Sequence, residues 1–217
     1  MKSEGVCTFC KRTVSGSAMA KHLVSCKERE KILSKESKET QDNVYLLRAS
    51  AGPFFVYFEA NETDNLKDVD QFLRDLWLEC CGHLSAFKIN NITYDSQPSD
   101  DMFGESKNKT MSVQLRHVLK PGLTFIHEYD FGTTTQLDIK VIAERSGSVK
   151  KISIHARNNP PDIVCPCGKP AKEICAQCVW DDRGLLCEKC AKKHECGEEM
   201  LLPAVNSPRA GMCGYTG

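Results

Sequence analysis

Gln136-Leu137-Asp138-Ile139-Lys140-Val141-Ile142-Ala143 decides the fold class. Leu137, Ile139 and Val141 alternate with Asp138 and Lys140, the period-two pattern of a strand with one face buried. Working outward, residues 44–49, 53–60, 86–94, 112–115, 123–129 and 149–156 also read as strands, and Ser50-Ala51-Gly52 and Lys120-Pro121-Gly122 as turns. Between them, Leu66, Val69, Phe72, Leu73, Leu76 and Cys80 recur at helical spacing, with Asp68, Asp70 and Arg74 facing away. Residues 96–109 are polar and read as a loose loop. Strands outnumber helices without regular alternation, so the expected class is α+β: a mixed central sheet with a packed helix, flanked by two small zinc-binding modules.

The boundaries follow from composition. Asn158-Asn159-Pro160-Pro161 breaks any regular element. Residues 27–39 are of mixed charge and read as a solvated helical tail with Ile32 and Leu33 as its apolar anchors. Three segments are therefore expected: 1–40, 41–158 and 159–217. The 29 basic and 29 acidic side chains cancel, but unevenly: residues 1–40 carry +4, 41–139 carry −7, 140–172 carry +5 and 173–217 carry −2. No whole-molecule field attracts nucleic acid, so any such contact must be local. No apolar run reaches the roughly 18 residues of a membrane span. No apolar signal core follows Met1, so the expected compartment is the cytoplasm.

The abnormal number is 13 cysteines in 217 residues. An odd count, most of it in two short blocks, points to metal rather than disulfides. The first block is Cys7-x2-Cys10-x11-His22-x3-Cys26. Two residues between cysteines let both thiolates turn onto one ion, and His22 and Cys26 lie one helical turn apart. Met19 and Leu23 share a helix face as a minimal core with Phe9 or Val14. So little apolar area predicts that metal binding and folding are coupled here.

The second block holds three close pairs, Cys165/Cys167, Cys175/Cys178 and Cys187/Cys190, then His194, Cys196 and the distant Cys213. Nine donors exceed the eight that two tetrahedral ions need. The spacing predicts interleaving, with the first and third pairs on one ion. The second pair would share the other with Cys213 and either His194 or Cys196. With the first block this makes three Zn(II) ions, closed and structural. The first block resembles CCHC zinc fingers of the ββα type, which bind DNA, RNA or protein. Residues 175–194 resemble the cross-braced B-box modules, and that resemblance implies a protein partner.

In the middle segment, Cys81-Gly82-His83-Leu84-Ser85-Ala86-Phe87-Lys88-Ile89, then Val118-Leu119-Lys120-Pro121-Gly122, then Tyr129-Asp130-Phe131-Gly132 resemble the plasmid pRiA ORF-three-like family. The match spans roughly residues 44–144. The family's Gly-Trp is replaced by Cys80-Cys81-Gly82, and Thr133-Thr134-Thr135 stand where it carries acidic residues and Trp. The resemblance implies no settled activity and a lean toward nucleic-acid processes.

Read from the residues alone, Gly82-His83 is a helix end and Asp130-Phe131-Gly132 a turn. Cys81, His83, His127 and Asp130 could act as nucleophile, base and orienter only if they met in space. There is no P-loop, Rossmann glycine pattern, His-Glu-x-x-His or nucleophile elbow, and no small-molecule substrate is identified. The expectation is a non-enzymatic zinc protein that binds a protein partner. Nucleic acid is the alternative, through Lys11, Arg12, Lys21 and Lys27 or through Lys140, Arg145, Lys150, Lys151 and Arg157.

Overall fold

Two compact units organise the chain: Met1–Phe72 with Leu84–Asn159, and Leu73–His83 with Pro160–Gly217. The structure, a computed structural model, describes residues 3–36, 42–98, 108–181 and 183–217. Among these no helix is long and apolar enough to cross a membrane. The polar stretch expected to form a loop falls largely on 99–107, outside the described residues.

The first unit is built on strands β1 (Glu4–Cys7), β2 (Thr13–Ser15), β3 (Asn43–Ala51), β4 (Phe54–Asn61), β5 (Ser85–Ile89), β6 (Ile92–Asp95), β7 (Lys109–Thr110), β8 (Thr124–Tyr129), β9 (Thr135–Ser146) and β10 (Ser153–Asn158). They form one ten-stranded sheet in the order β2-β1-β10-β4-β3-β9-β8-β5-β6-β7. All neighbours are antiparallel except β6 and β7, so the sheet is mixed and the class is α+β. Leu137, Ile139 and Val141 on β9 are fully buried while the residues between them are exposed, as their alternation dictates.

The central strand β4 is buried on both faces. Phe58 meets Phe72 of helix α3 (Leu66–Leu73), ring centroids 4.7 Å apart. On the opposite face Phe55 and Tyr57 pack with Met19 and Leu23 of helix α1 (Gly16–Ser25).

The first segment is therefore not a separate module. Cys7, Val6 and Gly5 pair with Ala156, Arg157 and Asn158, which extends the sheet through β1. Gly5 permits the approach, since a Cβ there would lie 2.3 Å from the Arg157 carbonyl oxygen. Helix α2 (Lys27–Glu36) is docked rather than solvated: Leu33 is buried, Ile32 is exposed, and Arg29 reaches the buried Glu59.

Three strand expectations change. Residues 86–94 are a hairpin, because Asn90 and Asn91 both adopt positive φ (49° and 64°) and reverse the chain. Residues 112–115 are not a strand: the Val113 and Met111 carbonyls accept the Leu66 and Lys67 amides and so cap α3. Strand β10 starts only at Ser153, because the Val149 amide is bonded to Asn61 Oδ1.

In the second unit, α3 continues into a widened π-turn over Arg74–Leu78, closed by Glu79 N–H donating to the Arg74 carbonyl at 3.0 Å. The rest is a three-stranded sheet in the order β12-β11-β13 (β11 Glu173–Cys175, β12 Leu185–Leu186, β13 Leu201–Pro203) and the short helix α4 (Glu188–Ala191).

Candidate metal centres

All thirteen cysteines are free thiols, and together with three histidines they fall into four groups of four donors. Within each group the donor atoms lie within 4.8 Å of one another. Around a tetrahedral ion with metal–sulfur bonds of about 2.3 Å, neighbouring sulfurs stand about 3.8 Å apart. The measured S···S distances are 3.6 Å (Cys167–Cys187), 3.5 Å (Cys178–Cys196) and 3.8 Å (Cys81–Cys213). A disulfide would need about 2.05 Å.

The first group is Cys7, Cys10, His22 and Cys26. The β1–β2 hairpin presents the first two. Lys11 at φ 61° makes the knuckle, and its N–H donates to the Cys7 carbonyl at 2.9 Å. His22 projects from α1, 3.3 Å from Cys10 Sγ, and Cys26 ends that helix. Cys7 and Cys26 are buried in the cluster that holds Met19, Leu23, Leu46 and Tyr57.

The second group is Cys165, Cys167, Cys187 and Cys190, the expected first and third pairs. Gly168 at φ 84° makes this knuckle, and Cys187 precedes α4, which carries Cys190. Backbone N–H groups of Cys167 and Cys187 pull the Cys165 thiol down to about 6, while the sulfurs of Cys165, Cys167 and Cys187 push Cys190 up to about 12.

The third group is Cys175, Cys178, His194 and Cys196. Here the Cys178 sulfur pushes Cys196 up to about 12. Such mutual repulsion opposes full ionisation of a bare cluster and is removed by a cation at its centre. His194 belongs to this set through a ring nitrogen, and its Nε2 is shielded from solvent.

These two groups differ from expectation in one respect: both His194 and Cys196 belong to the third group, which leaves no place for Cys213. Cys213 instead joins Cys80, Cys81 and His83 in a fourth group, so the number of sites is four, not three. His83 Nε2 lies 3.0 Å from Cys81 Sγ and 3.1 Å from Cys213 Sγ. Gly82 (φ 78°) turns the chain after Cys81, and Cys213 itself is left-handed (φ 46°).

The C-terminal segment is anchored beside this group. Ser207 Oγ donates to the Trp77 carbonyl at 2.7 Å, and the buried Arg209 directs Nη2 at Cys80 Sγ, 3.6 Å away. The available signal was a surplus of donors: nine in the second block, and Cys80, Cys81 and His83 left over.

No family model matches the chain. No curated protein matches it either. A crystal structure of a protein of unknown function, MM3350 from Methanosarcina mazei Go1, overlaps 53% of this chain and 68% of its own at 14% identity, with a TM-score of 0.42. That overlap is too loose to carry fold or function.

Of the hypothetical nucleophile constellation, Cys81 and His83 fall in the fourth donor group, while His127 and Asp130 have partners within the first unit. His127 Nε2 is bonded to Asp70 Oδ1 at 2.7 Å, both side chains buried. Asp130 at φ 64° accepts the Gly132 and Thr133 amides and turns the chain.

A second buried charge centre lies in the first unit. Glu59, with no exposed surface, accepts hydrogen bonds from Arg29 and, at 2.5–3.2 Å, from Arg145. Arg29 Nε also donates to His155 Nδ1 at 3.1 Å. Burial, with help from the two arginines, lowers His155 to about 4 despite the Glu59 charge.

Proposed function

We propose that this chain is a non-enzymatic zinc protein: four closed zinc centres support an α+β domain and a cysteine-rich unit that together bind a protein partner. The carrying observation is that every cysteine is consumed in four complete four-donor sets. Three-donor sites keep a position for water, while four-donor thiolate and imidazole sites are closed and structural. Thiolate with imidazole in such sets suits zinc above harder ions.

Two observations favour a protein partner. Thirteen thiolates on four divalent ions leave five negative charges, so the neutral chain becomes −5 when loaded. Of the basic side chains expected to meet phosphate, Arg145 is spent on Glu59. The cysteine-rich unit meanwhile exposes Trp180 (66%), Val164 (53%) and Met200 (38%). Exposed aromatic and Met side chains are enriched where proteins meet.

The middle segment is proposed as pRiA ORF-three-like on its His83-Leu84-x-x-Phe87 and Tyr129-Asp130-Phe131-Gly132 text. Native mass spectrometry of chelator-free protein should find four zinc ions. A partner co-purified from native lysate should be retained by Lys150→Glu/Lys151→Glu and lost with Trp180→Ala. Salt-sensitive nucleic-acid binding, abolished by the lysine changes, would establish the competing reading.

A further inference from the structure

The four donor sets are not equally protected. The first three each contain at least one buried thiolate: Cys7 and Cys26, Cys165 and Cys187, or Cys175. The fourth contains none, and Cys81 and Cys213 are both exposed. Two exposed sulfurs, against one (Cys167) in the second set and none in the first and third, make it the set most open to solvent-borne reagents.

We propose that the fourth site, read as a zinc centre as above, is an oxidant-labile metal site: a peroxide-class oxidant joins Cys81 to Cys213 and expels the ion. The two sulfurs stand 3.8 Å apart. Cys80 is equally close to Cys81, at 3.8 Å. Two features keep it out of the reaction. Arg209 donates to its sulfur and makes it a poorer nucleophile. A bond between adjacent cysteines would also close a strained ring across one peptide unit.

The chemistry balances with the oxidant alone. The Cys81 thiolate attacks one peroxide oxygen, the O–O bond breaks, and hydroxide leaves a sulfenic acid on Cys81. The Cys213 thiolate then attacks that sulfur, the S–O bond breaks, and a second hydroxide departs as the S–S bond forms. Two sulfurs together lose two electrons, the peroxide gains them, and solvent protons convert both hydroxides to water. The ion keeps only Cys80 and His83 as ligands and is released.

The test begins with native mass spectrometry of the zinc-loaded full chain, then titrates hydrogen peroxide in the presence of a chromogenic zinc chelator. The expected result is one equivalent of zinc released at least tenfold faster than the other three. Peptide mapping should show a Cys81–Cys213 link, and reductant with added zinc should reverse the change. Cys213→His keeps four donors but cannot form the link. It should bind four ions and lack the fast phase, and Cys213→Ser should bind three. Four ions leaving together, or a link between other cysteines, overturns the labile-site assignment alone. A loaded protein with no zinc at the fourth site overturns the zinc reading on which it rests.

Discussion

Removing the metal should unfold the cysteine-rich unit and spare the main sheet. That unit buries only seven apolar side chains other than cysteine (Leu73, Trp77, Leu78, Ile174, Leu186, Ala191 and Tyr215) among its 68 described residues. The sheet unit buries twenty-eight among its 132 described residues, about twice the density. A structural zinc site contributes about 10–16 kcal/mol of apparent folding free energy, against a usual domain stability of about 5–15 kcal/mol. Three of the four sites lie in the sparse unit, so it cannot survive their loss.

Both tryptophans, Trp77 and Trp180, belong to that unit, so selectively excited tryptophan fluorescence reports on it alone. Trp77 is fully buried. A strong chelator should therefore shift emission to the red. Hydrogen exchange should lose the Cys175 and Ala176 amides, now bonded to Gly184 and Met200, while β3 and β4 stay protected. Unchanged emission and protection over 160–217 after complete zinc removal would refute the reasoning.

Other outcomes follow from the sheet unit. Glu59→Gln leaves Arg29 and Arg145 facing a neutral group and should cost about 3–5 kcal/mol; at about 2–4 °C per kcal/mol the melting temperature falls by roughly 6–20 °C, read by calorimetry. Gly5→Ala drives a methyl into the Arg157 carbonyl and should cost about 2–3 kcal/mol in a urea titration. His155 titrates near 4 when folded, against about 6.5 when free, so the unfolded chain binds the extra proton between those values. Its contribution is complete above pH 6.5 and disappears as pH falls toward 4, at most about 3 kcal/mol. The difference in urea midpoint between pH 7.5 and 5.5 should accordingly be smaller in His155→Asn than in the unsubstituted protein.

Local pattern made much of this legible. The β9 alternation and the α3 spacing are properties of single elements, and paired cysteines announce a knuckle because both donors must turn onto one point. What stayed hidden depends on distant partners. Residues 112–115 look like a strand, yet the carbonyls of Val113 and its neighbour Met111 go to the first amides of α3. Arg145 looks like a phosphate ligand until Glu59 is placed against it. The fourth site joins donors 130 residues apart, and no spacing rule connects His83 with Cys213.

The pairing of β1 with β10 has a consequence for synthesis on the ribosome. The β1–β2 hairpin brings Cys7 and Cys10 and the helix that follows it brings His22 and Cys26, so this donor set is made from one short stretch and can capture its ion early. Its neighbouring strand ends at Asn158, so that edge is sealed only after β3, β4 and β9 have also been made. In the interval the metal-held hairpin presents the free edge of β1, the place where a neighbouring nascent chain can add.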